Sequence, residues 1–253
     1  MNARTIAARV GALAVVAVLA VGCGGGGNDR PTLGDKRSES TGTAALPPGT
    51  SQVAQVTVPN IEVFESPGAS EPKQSFENPW HINNDPKLGV PLVFLVEQQQ
   101  GKWVQVLLPV RPNGTTGWVH ASDVNLTSVP YRIQVELGSH RITVYDGEQV
   151  LLQEPVAIGA SDTPTPTGKY YLRVLLEAPD PDTVYGPYAY GLSGHSNVLE
   201  EFNGGDGELG IHGNNDASVL GQSITHGCIR MSNDGITRLT KILPLGTPVE
   251  ITS

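Results

Sequence analysis

The sequence predicts a mainly β protein, in which a small β unit precedes a larger one and one or two short helices are added. Three observations predict it. Apolar residues recur at every second position in several short runs, the period of a strand with one buried face. The 253 residues include Gly 30 and Pro 20, a turn-rich composition that suits short strands better than long helices. One stretch, from about Asp234 to Leu243, combines helical periodicity with a cap at its start, Ser232 or Asn233.

Taken in chain order, Arg4 and Arg9 precede an apolar run from Val10 to Gly22. That run is too short for a transmembrane span and has the length of an export signal. It closes on Ala20-Val21-Gly22-Cys23, which resembles the lipobox of bacterial lipoproteins; the resemblance implies cleavage before Cys23 and a lipid on its thiol. A plain cleaved signal and an uncleaved anchor are the alternatives, and all three readings export the chain. The expectation is a signal peptide at 1–22 and a membrane-anchored protein facing the cell wall or periplasm. Residues 23–52, rich in Gly, Ser, Thr and Pro, read as a flexible tether.

Residues 53–128 read as a small all-β module. Val53-Ala54-Gln55-Val56-Thr57-Val58 and Trp103-Val104-Gln105-Val106-Leu107 both alternate, with turn-rich segments between the apolar runs. Gly101-Lys102-Trp103-Val104-Gln105-Val106, followed by Gly117-Trp118-Val119, resembles bacterial SH3-type modules. Such a module would hold cell-wall material or support the second unit; alternatively Trp103 and Trp118 are simply core residues. Residues 130–253 form the second unit. Residues 131–137 and 140–145 flank Gly138-Ser139 as a hairpin, Asp146-Gly147 turns into a strand from Val150 to Ile158, and Tyr170 to Leu176 gives another. Gly246-Thr247-Pro248 leads into a last strand at Val249-Glu250-Ile251.

The charge excludes some partners. A net charge of −9 with no Lys/Arg-rich run argues against nucleic acid and against electrostatic adhesion to anionic lipid. The two cysteines are more informative. If Cys23 carries lipid, Cys228 has no partner within the chain in an oxidising compartment, and is either inert packing or a reactive thiol.

The neighbours of Cys228 favour the reactive reading. Ile211-His212-Gly213-Asn214 and Thr225-His226-Gly227-Cys228-Ile229-Arg230-Met231 supply two imidazoles beside a thiol. A thiol becomes a nucleophile when a base is within hydrogen-bond reach and its thiolate is stabilised. In an extended segment His226 and Cys228 point to the same side, which makes His226 the first candidate base. Gly213 and Gly227 permit turns whose N–H groups face a developing oxyanion, and Arg230 adds a charge that favours a thiolate or a substrate carboxylate. A zinc site would have to be built from His212, His226, Cys228 and Asp216, without a C-x-x-C pair or H-E-x-x-H; no metal and no cofactor is expected.

The order I-H-G, a spacer, then T-H-G-C-I-R-M resembles the signature of the L,D-transpeptidase (YkuD-type) catalytic domain. Ile158-Gly159, Thr163-Pro164-Thr165-Pro166-Thr167-Gly168-Lys169-Tyr170 and Gly246-Thr247-Pro248-Val249 resemble the same family's flanking segments, so the similarity spans about 131–252. The resemblance implies an L,D-transpeptidase-type β-sandwich with Cys228 as acylated nucleophile and His212 as general base, oriented by the Gly213 carbonyl. It implies an oxyanion hole from the N–H groups of His226, Gly227 and Cys228. It also implies a substrate-cleft loop near Tyr185, Gly186, Pro187, Tyr188 and Tyr190, with packing as the alternative role for the tyrosines. Substrate contacts are expected from Thr225, Asn214, Arg230, Tyr188 and Tyr190. The implied reaction is transfer between peptidoglycan stem peptides through a Cys228 thioester, giving 3→3 cross-links, with acylation by carbapenems. An L,D-carboxypeptidase and a non-catalytic wall-binding lipoprotein are the competing readings.

Overall fold

Asn60 and Glu62 face solvent while Ile61 and Val63 are fully buried, so the alternation read from the sequence is visible from the first strands. In this computed structural model the described residues are Arg4–Thr5 and 46–253, apart from 83–84 and 202–204. The leader expected at 1–22 (beyond Arg4–Thr5), Cys23 and the tether up to residue 45 lie outside the described residues. Among the described residues, no helix is long and apolar enough to cross a membrane.

The first part of the chain builds β1 (Ser51–Val56), β2 (Asn60–Val63), β3 (Gln74–Glu77), β4 (Trp80–His81), β5 (Gly89–Val90), β6 (Val93–Gln100), β7 (Trp103–Leu107), β8 (Thr116–His120) and β9 (Val124–Val129). Five of these form an antiparallel sheet in the order β9-β1-β6-β7-β8. Its core holds Val53, Ile61, Val63, Phe94, Leu95, Val104, Val106 and Val119. Trp118 belongs to the buried set, while Trp103 is half-buried, its ring 4.0 Å from that of His120 and 5.1 Å from that of Phe64.

The second part builds β10 (Tyr131–Glu136), β11 (Arg141–Asp146), β12 (Gln149–Pro155), β13 (Ile158–Gly159), β14 (Gly168–Glu177), β15 (Tyr188–His195), β16 (Glu208–His212), β17 (Ser223–Thr225), β18 (Ile229–Arg230), α1 (Asn233–Leu239) and β19 (Pro248–Thr252). The large sheet runs β12-β11-β10-β19-β14-β15-β16-β18, with Arg4–Thr5 paired to β14 off this path. The strand expected from Val150 to Ile158 is two strands, because the backbone changes partner after Pro155: Val156 N still donates to the His140 carbonyl, whereas Ala157 N donates to that of Arg230 and Ile158 N to that of Gln222. The helix is shorter than expected. Ser232 caps it by accepting from Gly235 N at 2.9 Å, and past Leu239 the bonds tighten to Lys241 N→Arg238 O and Ile242 N→Leu239 O ahead of Pro244. Among the described residues the fold is mainly β with one α-helix.

β14 is buried on both faces. Tyr170 and Leu172 pack into the second core with Ile133, Ile142, Tyr190, Ile211, Ile229 and Met231, whereas Tyr171 turns the other way into the first core. A polar seam adds to this contact. The side-chain amide of Asn113 donates to the His195 carbonyl at 2.7 Å and accepts from the His195 N–H at 2.9 Å, as a neighbouring strand would. Arg111 donates to the carbonyls of Ser196, Leu199 (2.9 Å) and Asp206 (2.7 Å). Because His195 is buried, Asn113→Ala strands its N–H, an expected loss of about 1–3 kcal/mol. Chemical denaturation checks this; a change below about 0.5 kcal/mol, the range of a neutral surface substitution, would show that the seam carries no weight.

Candidate active site

β16 and β18 pair in parallel, Ile211 opposite Ile229 and His212 opposite Arg230. Ile211 and Ile229 are fully buried in the core, so alternation puts Gly210, His212 and Arg230 on the other face. Cys228, immediately before β18, lies over Gly210: a Cβ built there would stand 3.8 Å from its Sγ, an ordinary contact, and it is the Tyr190 carbonyl at 3.1 Å that crowds this position.

Cys228 is partly exposed as a residue, while its thiol sits in dense surroundings. Desolvation pushes its thiol pKa up, while a hydrogen bond from the Gly210 backbone and the charge of Arg230 pull the other way. His212 is 3% exposed, and burial lowers its pKa to about 4; the Gly213 hydrogen bond opposes this shift and Arg230 adds to it. His212 Nδ1 lies 2.7 Å from the Gly213 carbonyl oxygen. A carbonyl only accepts, so Nδ1 carries the proton and Nε2 presents its lone pair. At neutral pH the site therefore rests as a neutral thiol and a neutral imidazole. The Tyr185 ring covers His212 at a centroid distance of 5.1 Å.

The backbone around the sulfur is held by hydroxyls. Thr225 Oγ1 accepts from Gly227 N at 3.1 Å and donates to Cys228 O at 2.6 Å. Gly227, at φ 111, makes the bend that separates β17 from the thiol. Because of that bend residues 226–228 are not extended, so strand alternation does not set His226 beside Cys228; His226 is exposed.

Other expected contacts also move. Tyr190 is 1% exposed and donates its hydroxyl to the carbonyls of Leu239 and Leu243, a core role that excludes substrate contact. Ala189 pairs with His212 and Gly191 with Gly210, so these residues share the face of the imidazole while Tyr188 and Tyr190 point toward the core. Asn214 is buried, its N–H donating to Asn233 Oδ1 at 2.8 Å and its side-chain amide to the Asp216 carbonyl; it shapes the turn after His212. Thr225, 1% exposed, is spent on the backbone of Gly227 and Cys228. Asp216 caps a short 3-10 turn, accepting from Ser218 N at 2.9 Å. Arg230 is half-exposed on the thiol's face. Sequence reading singled out neither Gly210 nor a role for Thr163 and Thr165, and it weighed Tyr185 only within the loop. The threonines were in view in the Thr-Pro-Thr-Pro-Thr run; nothing in the sequence marks Gly210.

Among the described residues, His195, Asp206 and Glu208 bring ligand atoms close enough for a metal. Groups of the protein already serve them. Arg173 pairs with Glu208 and lies 3.6 Å under the Trp80 ring, and His195 Nε2 donates to Asp206 Oδ2 at 3.1 Å. Burial raises the Glu208 pKa, against the pull of Arg173.

The sequence of the YkuD protein of Bacillus licheniformis, an L,D-transpeptidase by name, is 32% identical over 155 residues, covering 58% of this chain and 86% of that protein. The chain belongs to the YkuD-type L,D-transpeptidase family. The family model for the L,D-transpeptidase catalytic domain matches residues 130–251. The YkuD protein of Bacillus subtilis strain 168 is 32% identical over 124 residues, 49% of this chain and 67% of that protein. A solved structure, Bdellovibrio bacteriovorus Bd1075, is 28% identical, covers 48% of this chain and 47% of its own, and superposes with a TM-score of 0.39. The L,D-transpeptidase domain thus contains all of β10 to β18, and with them His212, Gly213 and Cys228.

Proposed function

We propose that this protein is a peptidoglycan L,D-transpeptidase that forms 3→3 cross-links through a Cys228 thioester. The observation that carries the reading is a thiol on the same sheet face as an imidazole whose Nδ1–H is tied to Gly213, leaving Nε2 as acceptor. His212 Nε2 takes the thiol proton as Cys228 Sγ attacks the carbonyl between an L-configured centre, such as that of diaminopimelate, and terminal D-Ala. The tetrahedral oxyanion forms next to backbone N–H donors. It collapses to the thioester as the C–N bond breaks, and the His212 imidazolium returns its proton to the leaving D-Ala amine. The amine of a second stem peptide then attacks the thioester, gives its proton to Nε2, and the thiol is restored. Because both groups rest neutral, proton transfer accompanies attack and no standing ion pair is required.

The competing outcome is hydrolysis, in which water replaces the acceptor amine. Incubation with purified stem tetrapeptide muropeptides, read by mass spectrometry, separates the two: cross-linked dimer with released D-Ala is expected. Tripeptide alone would identify an L,D-carboxypeptidase, and unchanged tetrapeptide would overturn both. Family membership supports acylation by carbapenems. The Ala20-Val21-Gly22-Cys23 sequence supports export and lipid anchoring at Cys23 on the wall-facing side of the membrane, where this substrate lies. We further propose that residues 53–128 act as an SH3-like module beside a catalytic domain at 130–253.

A further inference from the structure

Three threonine hydroxyls fasten the segment that carries Cys228, and two of them come from far away in the chain. Thr165 is 4% exposed, and its Oγ1 accepts from Gly159 N at 2.9 Å and donates to Gly227 O at 2.8 Å. Thr163 Oγ1 donates to Thr225 O at 2.9 Å, and Thr225 Oγ1 accepts from Gly227 N and donates to Cys228 O. Each bond fixes the plane of one peptide group. The Gly227 N–H is committed to Thr225 and cannot also serve an oxyanion well. In a trans peptide the carbonyl and the next N–H point in opposite directions. Anchoring Gly227 O on Thr165 therefore fixes the direction of the Cys228 N–H, which faces away from Thr165. That N–H belongs to the residue whose sulfur attacks, so it lies beside the carbon being attacked. Gly227 sits at φ 111, in a region where an L-residue would not hold the plane in this orientation, so the hydroxyl is what fixes it.

We propose that Thr165 is a positioning residue which, through the Gly227 carbonyl, aims the Cys228 N–H at the oxyanion of the acyl-transfer step. The inference rests on Cys228 being the acylated nucleophile. It adds a purpose to a buried hydroxyl of the Thr163–Gly168 segment that also satisfies the Gly159 N–H. It also divides the site: the thiol's reactivity belongs to the Gly210, His212 and Arg230 face, while oxyanion stabilisation is set from the Thr165 side.

Two reactions of the same sulfur separate these contributions. Acylation by meropenem passes through a tetrahedral oxyanion; alkylation by iodoacetamide displaces iodide and forms none. Both are followed by intact-protein mass spectrometry on the whole chain, comparing wild type with Thr165→Val and Thr165→Ser. For Thr165→Val the expected acylation rate is lower by about 10–100-fold, somewhat less than complete loss of an oxyanion donor, while alkylation changes by less than about 2-fold. Thr165→Ser, which keeps the hydroxyl, is expected to acylate within about 3-fold of wild type. Equal loss of acylation and alkylation, or loss of neither, would overturn the proposal. If Thr165→Val does not fold, Thr165→Ala is measured in its place, and failure of both to fold would make Thr165 a structural residue and end the proposal. A wild type that alkylates at Cys228 but never acylates would instead refute the nucleophile reading on which it rests.

Discussion

The Cys228→Ser protein is expected to form no covalent adduct with a carbapenem and to lose at least about 10³-fold in D-Ala release from stem tetrapeptide. The reason is the weakness of the base. Burial holds His212 at a pKa of about 4, low enough that it takes a proton only from a group already disposed to give one. A thiol meets that condition even with its pKa raised; an alcohol, with a far higher pKa, does not. The stabilising contacts of the sulfur, the Gly210 backbone and the charge of Arg230, act on a developing thiolate and have much less purchase on a hydroxyl. Oxygen is smaller than sulfur and the site is partly open, so the fold is expected to survive, with an unfolding midpoint close to wild type. D-Ala release is followed by chromatography on matched amounts of folded protein. Retention of more than a tenth of the activity would exclude the thiol as nucleophile.

His212→Asn is the second large effect. Asparagine still donates to the Gly213 carbonyl but offers no basic nitrogen, so turnover is expected to fall by about 10²–10⁴-fold. His226→Asn, at an exposed bend, is expected to cost less than about 10-fold, below the range for loss of a general base. Reversal of that order would return the base role to His226. The same imidazole also makes stability depend on pH. Its folded pKa lies below its unfolded value of 6.5, so the unfolded chain binds the proton first as pH falls. The full contribution is present above 6.5 and is lost progressively down to about 4, a decline of up to about 3 kcal/mol at the acid end. His212→Asn is expected to flatten that part of the stability profile, which denaturant titration at stepped pH measures. The wild-type kcat/KM is expected to hold a plateau through neutrality and to fall on the acid side with a midpoint near pH 4.

Much of the site was legible because its chemistry is local in the chain. The Ile211-His212-Gly213 and Thr225-to-Met231 stretches contain the sulfur, both imidazoles and the bend glycine, and the structure pairs them as neighbouring strands. Legibility fails where partners are remote. The family resemblance implies a cleft loop at Tyr188 and Tyr190, with packing as the alternative; strand pairing with β16 turns them toward the core. β15 carries Gly191 and Gly194, residues that weaken a strand signal. They are small because the sheet needs it: a Cβ on Gly194 would overlap the Tyr170 ring and one on Gly191 would meet Val174 at 2.7 Å. No local pattern announces such crowding. The same holds for Thr165, whose run was noticed as a segment but whose partner, Gly227, is 62 residues away. The alternating runs at 53–58, 103–107 and 131–145 are the easiest to read, since one buried face and a period of two suffice to mark them.

The double burial of β14 has a consequence for how the molecule comes apart. Tyr171 is fully buried in the core built mainly by the first half of the chain, while its neighbours Tyr170 and Leu172 anchor the second. A strand shared in this way cannot be released by one side alone, so the two halves are expected to melt in a single cooperative step. A fragment begun at Pro130 would keep every atom of the thiol chemistry and still present Tyr171 and its face of the sheet to water. Such a fragment would be drawn to its own copies before it met a substrate.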